Sequence, residues 1–296
     1  MKTGFIAIIG RPNVGKSTLL NALLGEKVAI VSNKPQTTRT RITGILTKGE
    51  NQYVFLDTPG IHTPHNKLGQ YMAKAISTTI ADVDSAILVV EAGHKPGDVE
   101  LSAIQRVKDR KLPCLLVINK IDAVNGEQVG QTIEFYKDLY DFSSIIPISA
   151  LKNKGVDIVL DECGQFMKDG EWHFDEDELT DQPERQIAAE IIREKILRTM
   201  NDEIPHGIAV TIEQFDESPK LLSIYATIYC ERESHKRIII GKQGAMLKRI
   251  GSYAREDMEA FFGIKVYLNL WVKVKENWRE NEMTMHNLGF NQKDLT

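Results

Sequence analysis

The chain has 296 residues, of which 42% are hydrophobic and 26% are charged, and its formal net charge is −4. This composition is ordinary for a soluble globular protein and excludes a largely disordered chain. The length predicts about two domains, and because no apolar run approaches the roughly 20 residues that cross a bilayer, any membrane contact is expected to be peripheral.

The first 170 residues alternate short apolar strands with amphipathic helices, which indicates a mostly parallel sheet with helices on both faces. Six strands are predicted, and the turn-like sequence KGEN between the second and third indicates a hairpin that places one antiparallel strand at the edge. The strands are expected at 5–9, 39–46, 53–56, 86–90, 114–118 and 145–148, and the helices at about 17–24, 67–80, 98–110, 128–140 and 155–168.

The segment GRPNVGKS follows the first predicted strand and opens a helix, which is the context that a P-loop requires. Gly10 and Gly15 let consecutive backbone N–H groups point at phosphate oxygens, and the helix N-terminus adds partial positive charge. Lys16 is expected to reach the β- and γ-phosphates. The Ser17 hydroxyl is expected to ligate Mg²⁺, and Thr18 follows it in the same nucleotide pocket.

Two further segments complete the expected phosphate end of the pocket. Asp57, in DTPG, ends a buried strand, where a carboxylate is costly unless it serves a metal, so we expect it to hold Mg²⁺ through water. The Gly60 N–H is expected to sense the γ-phosphate. Thr38, at the end of a loop before the next strand, is the predicted second Mg²⁺ ligand. Thr37 is the alternative, and a plain turn containing threonines stays open.

The segments NKID and SAL predict a base-reading end. The Asp122 carboxylate can accept from both N1–H and the 2-amino group of guanine, which adenine does not offer, and unpaired buried polar groups make such rejection strong. Asn119 is expected to help Asp122 select the base, and Lys120 to lie along its plane. The predicted lid over the base consists of Ser149, Ala150 and Leu151, with the Ala150 N–H bonded to the guanine O6.

Catalysis departs from the Ras-like pattern. Those enzymes orient the attacking water with a Gln directly after the DxxG segment, and here that position is Ile61. Asn13 is a candidate ligand for a monovalent cation, which would take the role of an arginine finger. We therefore expect slow hydrolysis stimulated by K⁺, with Lys16, Thr38 and Asn13 as the catalytic residues. The alternative is that Asn13 is an ordinary loop residue.

A linker and a second α+β unit follow. Residues 171–184 have little apolar periodicity, four consecutive acids and a proline, which is typical of a linker. Between Arg232 and Arg279 there are 11 Lys/Arg against 5 Asp/Glu, and a basic stretch in an acidic protein indicates a polyanionic partner. The predicted elements are a helix at 185–200, strands at 208–215 and 221–231, a helix at 246–262, a strand at 265–273 and a last short helix.

The chain resembles the Era family of small bacterial GTPases over essentially its whole length. GRPNVGKSTLLNALLG, KPQTTR, DTPGIHTPHNKLGQYM, NKID and SAL resemble that family's N-terminal half, and IIIGKQGAMLKRIG with WVKVKENWR resembles its C-terminal KH domain. GTPases of the related Der type usually carry two G domains, whereas one is present here. The resemblance implies GTP hydrolysis, binding of the 3′ end of small-subunit ribosomal RNA, maturation of the 30S subunit and peripheral membrane association. The expected cofactors are GTP/GDP and Mg²⁺, and the chain is expected to be a monomer.

The expected fold class is therefore α/β for a P-loop G domain, with a mostly parallel six-stranded sheet, followed by an α+β type II KH domain. The expected domains are 1–170 for nucleotide binding, 171–184 as linker, and 185–296 for RNA binding with a C-terminal tail. Residues 238–240 favour a strand by propensity, but the resemblance implies a short helix after Ser234.

The GKQG segment is a GxxG loop, which lets the phosphate backbone of a single strand approach the protein backbone closely. The predicted RNA contacts are this loop and the basic residues around it: Lys236, Arg237, Gly241, Lys242, Gln243, Gly244, Lys248 and Arg249. Trp271 and Trp278, with Lys273, Lys275 and Arg279, are candidates to stack on or grip RNA. The open alternatives are core packing for Trp271 and a solvated face for the lysines.

Two alternatives remain from the sequence. One is a GTPase switch whose second half is directed to a protein or a membrane, and the other is an ATP-using P-loop enzyme. Three widely spaced cysteines favour a reducing compartment over a disulfide framework or a zinc site. The apolar run at the start is too short for a signal peptide. A cytoplasmic location is expected, with peripheral contact to the inner face of the cell membrane.

Overall fold

The computed structural model describes residues 1–200 and 204–291. Its first part is a seven-stranded sheet, whose strands are β1 (Lys2–Ile9), β2 (Ile42–Lys48), β3 (Asn51–Asp57), β4 (Ser85–Glu91), β5 (Cys114–Asn119), β6 (Ser144–Pro147) and β7 (Lys168–Asp169). The first six lie in the order β2-β3-β1-β4-β5-β6, in which β2 pairs antiparallel with β3 and the other neighbours are parallel. The predicted mostly parallel sheet and its edge hairpin are confirmed.

The seventh strand corrects the prediction of six. β7 pairs antiparallel with the start of β1, and the helix predicted for 155–168 ends at Cys163 and gives way to a short turn. Two exposed polar residues carry no alternating apolar pattern, so periodicity cannot detect such a strand.

Helices cover both faces of this sheet: α1 (Lys16–Leu24), α2 (Lys67–Ala81), α3 (Asp98–Asp109), α4 (Gly126–Tyr136) and α5 (Val156–Cys163). Side chains alternate along β1, so Ile8 packs under α1 and α5 while Ile9 packs under α2, α3 and α4. The loops after β1, β3, β5 and β6 meet at the carboxyl edge of the parallel strands, where ligands of such sheets bind.

The predicted linker, 171–184, is bonded along the edge hairpin. The Ile45 N–H of β2 donates to the Leu179 carbonyl at 2.9 Å, and the Thr180 hydroxyl donates to the Thr43 carbonyl at 2.7 Å. This segment therefore covers an edge strand that would otherwise present unpaired backbone groups, and it fixes where the next helix starts.

The second part has the order helix, strand, strand, helix, helix, strand of a type II KH domain, as predicted. Its elements are α6 (Glu184–Thr199), β8 (Ala209–Ser218), β9 (Leu221–Cys230), α7 (Glu233–Ile240), α8 (Ala245–Phe262), β10 (Lys265–Val274) and, after them, α9 (Glu282–Asn287). The sheet order is β10-β9-β8, with β9 parallel to β10 and antiparallel to β8. Residues 292–296, at the end of the predicted C-terminal tail, lie outside the described residues.

The helix implied by the resemblance at 238–240 is confirmed, and the strand favoured by propensity is wrong. Ile239 is fully buried while the neighbouring Ile238 is 50% exposed. Ile239 joins the core under α6 and α8, together with Ile192, Ile224 and Ile250. This tertiary burial outweighs a local preference of β-branched residues for strands.

The two parts share an apolar contact centred on Trp278. This side chain is fully buried among Leu68 and Met72 of α2, and its indole N–H donates to the Gly207 carbonyl at 2.9 Å. Trp278 is therefore unavailable to stack on RNA, which corrects one of the open interpretations. Trp271, in contrast, is 45% exposed. Among the described helices, none has the length and apolar content that a membrane span needs.

Candidate functional site

The P-loop has a backbone that requires glycine. Gly15 has a φ of 100°, and a Cβ added there would lie 2.3 Å from the Asn119 side-chain nitrogen. α1 begins directly after Gly15 without a side-chain cap and without an acidic residue in its first turn. Its first N–H groups are thus left for an external anion such as phosphate.

Lys16 is a buried cation at the centre of this loop. Its ammonium donates to the carbonyls of Gly10 at 3.2 Å and Arg11 at 3.0 Å. Burial lowers the pKa of Lys16 to about 8, although the nearby Asp57 carboxylate acts in the opposite direction. A buried charge of this kind is stabilised by an opposite charge, which nucleotide phosphates would supply.

The predicted Mg²⁺ residues lie together. The Ser17 hydroxyl donates to Asp57 Oδ2 at 2.5 Å, and the Thr38 hydroxyl lies 2.9 Å from that of Ser17. The Thr37 hydroxyl donates instead to the Lys34 carbonyl at 2.6 Å. The structure therefore brings Thr38, rather than Thr37, to the other two oxygen groups, and hard oxygen ligands are what Mg²⁺ requires.

Asp57 itself fits a metal. The carboxylate is fully buried, and its Oδ1 has no hydrogen-bond partner in the part of the chain that the structure describes. Burial raises the pKa of Asp57 to about 6, even though Lys16 and the hydroxyls of Ser17 and Thr38 lower it. An orphaned buried carboxylate oxygen beside two hydroxyls is the donor set expected for a bound divalent cation.

Asn119 connects the phosphate end to the base end. Its side-chain N–H donates to the Val14 carbonyl at 2.8 Å, and its Oδ1 accepts the Ala150 N–H at 2.9 Å. The Ala150 N–H, predicted to bind the guanine O6, is thus already bonded in this structure. A bond to O6 requires it to be shared with the Asn119 oxygen or released from it.

Asp122 presents its carboxylate at the mouth of the pocket. The Ser149 hydroxyl donates to Asp122 Oδ1 at 2.5 Å, and this bond is the main cause that lowers the pKa of Asp122. The Lys120 ammonium pairs with Glu91 at 3.0 Å, which holds the lysine stem across the site. The carboxylate is therefore ionised and oriented, as an acceptor for a guanine N–H pair must be.

These groups surround a cavity of about 430 Å³, a size typical of small-ligand pockets. It is lined by the predicted residues Asn13, Gly15, Lys16, Ser17, Thr18, Thr38, Gly60, Asn119, Lys120, Asp122 and Leu151. Gly10, Asp57, Ser149 and Ala150 are not in this lining. Sequence reasoning missed one part of the wall, formed by Ile30, Val31 and Ser32, which precede the KPQTTR segment and belong to no recognisable motif. Gln36, which lies within KPQTTR, also lines the cavity.

The two residues that bear on hydrolysis have different surroundings. Ile61 is buried in the core with Ile9 and Ile76, so its side chain is turned away from the pocket. Asn13 has a left-handed backbone, with a φ of 64°, and its amide donates to the Asn33 carbonyl at 3.0 Å. The Asn13 side chain thus connects the P-loop to the loop that carries Thr38.

The GKQG segment forms a tight exposed turn between α7 and α8. Gly241, Gln243 and Gly244 all have positive φ angles. A Cβ on Gly241 would lie 2.7 Å from the Met246 Cβ, so a larger residue there would force the first turn of α8 to move. Lys242 stands on this turn, which suits close approach of a phosphate.

A groove of about 470 Å³ begins at this turn and runs between α8 and β10. Of the predicted RNA residues, Gly244 and Lys248 line it, whereas Lys236 and Arg237 belong to α7. Arg249 lies over the Tyr253 ring at 5.5 Å, outside the groove lining. The residues that sequence reasoning missed are Leu247, Gly251, Ser252, Arg255, Tyr267, Leu268, Asn269 and Leu270. The spacing 244, 247, 248, 251, 252 and 255 marks one helical face, and it is the signal that could have found the α8 residues.

One further feature was missed: α6 binds the backbone of the loop that carries Thr38. The Arg193 guanidinium donates to the carbonyls of Thr37 and Gln36. Glu194 accepts the Val31 N–H at 2.9 Å. Charged residues inside the apolar stripe of α6 were the available signal, because buried charges need partners.

An ion cluster supports the same contact. Glu194 is fully buried and pairs with Lys27 at 2.7 Å and with Arg198 at 3.0 Å. Asp257 of α8 pairs with Lys27 at 2.8 Å and with Lys195. The cluster therefore joins the start of the loop, α6 and α8.

Comparisons with known proteins agree with this geometry. A family model of 50S ribosome-binding GTPases matches residues 5–120, and a KH domain model matches residues 203–279. The chain is 51% identical to GTPase Era of Ruminiclostridium cellulolyticum over 98% of the chain and 97% of the relative. It is 50% identical to GTPase Era of Clostridium botulinum, with 98% of each protein covered.

Two solved structures are similar over nearly the whole chain. One is a variant of Era from Aquifex aeolicus bound to GDP·AlF₄⁻, with a TM-score of 0.94, 40% identity and coverage of 98% of this chain and 99% of that one. The other is Era in complex with MgGDPNP and nucleotides 1506–1542 of 16S ribosomal RNA, with a TM-score of 0.94, 39% identity and the same coverage.

Proposed function

Because the chain belongs to the Era family and is a GTPase, we propose that it couples its GTP cycle to binding the 3′ end of small-subunit ribosomal RNA, and acts in maturation of the 30S subunit. The observation that carries this proposal is the groove beside GKQG, with Lys248 and Arg255 in its wall. The structurally similar Era that binds a 16S ribosomal RNA fragment supports the choice of RNA.

The choice of subunit follows from the full-length relative. The family model that mentions the 50S subunit covers residues 5–120 and not the groove. The similar structure with 16S ribosomal RNA covers 98% of the chain, including the groove. The small subunit is therefore the better-supported partner. We further propose the functional division into 1–170 for nucleotide, 171–184 as linker and 185–296 for RNA.

In the nucleotide pocket, Lys16 and the free N–H groups of α1 would bind the phosphates, and Ser17, Thr38 and Asp57 would hold Mg²⁺. The bound Mg²⁺ supplies charge neutralisation at the phosphates. Lys16, which is buried, adds a fixed positive charge where negative charge develops. Asp122 and Asn119 would orient the guanine base and so fix the phosphates relative to Lys16.

Hydrolysis needs a substitute for the water-orienting Gln, because Ile61 is buried in the core. Asn13 supports the K⁺ proposal through its position, since it lines the cavity and connects the P-loop to the Thr38 loop. A monovalent cation ligated by its side-chain oxygen would add positive charge beside the phosphates. Single-turnover hydrolysis in matched K⁺ and Na⁺ buffers tests this, and equal rates would contradict it.

The contact of α6 with the Thr38 loop supports coupling between the two sites. A loop that is drawn toward bound GTP by Thr38 has to carry Thr37 and Val31 with it, and α6 holds the backbone of both. Loss of the γ-phosphate would release that pull on α6, and thereby on α8 through Lys195 and Asp257. We expect the form with GTP to bind RNA more tightly than the form with GDP.

The second candidate, a switch directed to a protein or a membrane, keeps the same pocket but needs no GxxG groove. Peripheral contact with the inner face of the membrane remains a proposal from the resemblance. A cytoplasmic location and a monomeric state also remain proposals. The ATP-using alternative is excluded by membership of a GTPase family.

A salt titration of RNA binding tests the proposal. The probe is the RNA fragment of nucleotides 1506–1542, and the variant is the full chain with Lys242→Glu and Gln243→Glu. Affinity of the native chain should fall steeply with salt, and the variant should lose binding because two acids face the phosphates. Lys108→Glu, on exposed α3, is the matched control. Intact binding by the doubly acidic variant would contradict the RNA assignment.

A further inference from the structure

Three aromatic side chains form an exposed surface on the outer face of the KH sheet. Alternate residues of a strand face opposite sides, so Val266 and Val272 of β10 enter the core, while Tyr267 and Trp271 face outwards. Tyr225 of β9 belongs to the same outer face. We refer to Tyr225, Tyr267 and Trp271 as the aromatic platform.

The rings of the aromatic platform are in contact. Trp271 stacks on Tyr225 with a centroid separation of 5.9 Å and an interplanar angle of 17°. Tyr267 meets the other side of Tyr225 at 5.8 Å and 61°. The register pairs Asn269 with Tyr225, so both outer rings are diagonal neighbours of the central one. The result is one row of three rings.

The outer rings of this row remain accessible. Tyr267 is 46% exposed and Trp271 is 45% exposed, whereas Trp278 is completely buried. If these rings served only to stabilise the sheet, the cross-strand pair of Tyr225 and Trp271 would be enough. The exposed ring of Tyr267 would then have no role. Clustered exposed aromatic surface is instead typical of a binding site.

The aromatic platform is continuous with the groove. Tyr267 belongs to both, and Asn269, the cross-strand neighbour of Tyr225, also lines the groove. In the described sheet β10 has β9 as its neighbour on one side and lies at the edge on the other. A strand of RNA leaving the groove therefore crosses the width of one β-strand to reach the rings.

Charge favours the same path. Lys273 follows Trp271 on the outward side of β10 and is exposed. The opposite edge strand, β8, carries the exposed acids Glu213 and Asp216. A polyanion would thus run along β10 rather than along β8.

We propose that the aromatic platform is a stacking site for bases of the single-stranded RNA whose backbone enters the groove at GKQG. This inference rests on the proposed function. Aromatic rings bind single-stranded RNA through the faces of unstacked bases, which every base offers, so this site adds affinity with little sequence preference. The groove would then recognise the RNA, and the aromatic platform would help to retain it.

The first test compares affinities of full-length variants for the RNA fragment of nucleotides 1506–1542. Trp271→Ala and Tyr267→Ala should each weaken binding about tenfold, the size expected for loss of one base–ring contact. Trp271→Phe keeps a ring face and should stay close to the native affinity. Phe261→Ala, an exposed aromatic of α8 outside the platform, is the matched control and should change nothing.

The second test separates stacking from a structural role. Bases of the fragment are removed one at a time, leaving abasic nucleotides. Some abasic positions should weaken binding by the native chain but not by Trp271→Ala, because both changes remove the same contact. In addition, RNA should quench the fluorescence of Trp271 in the native chain, and the quenching should disappear in Trp271→Phe.

The outcomes distinguish the two proposals. If Trp271→Ala binds within twofold of the native chain, or if no abasic effect depends on Trp271, the stacking site is wrong. A further contrary result is an equal loss of RNA affinity in Trp271→Phe and Trp271→Ala, whichever base of the fragment is removed. That result would mean that Trp271 has a structural role. In each of these cases the proposed function stands as long as Lys242→Glu with Gln243→Glu still abolishes binding. Binding that survives both sets of changes overturns the proposed function itself.

Discussion

The nucleotide pocket and the groove proposed to bind RNA are built differently. In the pocket, functional side chains bond to one another: Asn119 joins the P-loop to Ala150, Ser17 bonds to Asp57, and Ser149 orients Asp122. In the groove, Lys248 and Arg255 stand exposed on one face of α8, and Lys242 is exposed on the turn beside it. The pocket is thus organised before its ligand arrives, whereas the groove offers a shape and charge that a flexible strand can follow.

This difference predicts how strongly the substitution of one residue weakens each site. A preorganised pocket loses function steeply when one member is removed, because the remaining polar groups are left without partners. A groove that binds through several exposed phosphate contacts loses affinity in small steps. Four changes, ordered by expected effect, test this contrast.

The largest effect is expected for Lys16→Ala. Removing the buried ammonium deletes the fixed positive charge at the phosphates, and GTP hydrolysis should fall about a thousandfold, as for loss of a preorganised donor. Single-turnover hydrolysis measures it, with Lys108→Ala on the exposed side of α3 as control. A loss below about tenfold would mean that Lys16 does not contact the transferred phosphate.

The next effect is on base choice. Asp122→Asn replaces one of the two acceptor oxygens by an NH₂ donor that opposes the guanine 2-amino group. GTP affinity should therefore fall about a hundredfold, while xanthosine triphosphate, which carries a carbonyl oxygen at that position, gains. Calorimetric titration with both nucleotides measures this shift. Asp138→Asn, also exposed but outside the pocket, should leave both affinities unchanged. An unchanged guanine preference in Asp122→Asn would rule out the base reader.

A smaller effect should appear with pH. The pKa of Asp57 is raised to about 6 by burial, so the carboxylate becomes protonated, and loses its charge for Mg²⁺, as the pH falls through that value. Mg²⁺-dependent GTP affinity should therefore decrease below pH 6, by at most about tenfold per pH unit. In Asp57→Asn the affinity should be lower throughout and lack this step. A step that persists in the variant belongs to another group.

The smallest effects are expected in the groove. Arg255→Ala should weaken RNA binding severalfold and reduce the slope of log affinity against log salt by about 0.7, the value for one phosphate contact on a single strand. Arg249→Ala should do less, since Arg249 lies over Tyr253 outside the groove. Affinity titrations at several salt concentrations measure both. An Arg249 effect equal to that of Arg255 would mean that the RNA path leaves the groove.

The same contrast explains what the sequence predicted. Contiguous motifs located the pocket because its residues are close together in the sequence, in the loops that follow the strands. Examples are Gly15, Lys16 and Ser17 after one strand, and Asn119 and Asp122 at the end of another. The α8 residues of the groove, such as Ser252 and Arg255, share a helical face but no contiguous motif. The Tyr267 and Trp271 side chains can be recognised as neighbours of Tyr225 only from the register of β10 with β9.

Tertiary contacts explain the errors. β7 was missed because two polar residues give no period, and the strand preference of residues 238–240 yielded to burial of Ile239. Trp278 looked like a possible RNA contact beside a basic segment, yet it packs on α2. The hydrogen bond from the Arg193 guanidinium to the Thr37 carbonyl joins residues 156 positions apart in the sequence. It connects the pocket with the second part of the chain, and each contiguous motif describes only one of these two sites.

That link is tested most directly by the affinity of the full chain for the RNA fragment of nucleotides 1506–1542, measured with GDPNP and with GDP. We predict tighter binding with GDPNP, and loss of the difference in Arg193→Gln, where the Thr37 carbonyl is no longer held by a guanidinium. Equal affinities of the native chain in the two nucleotide states would contradict coupling between the pocket and the groove.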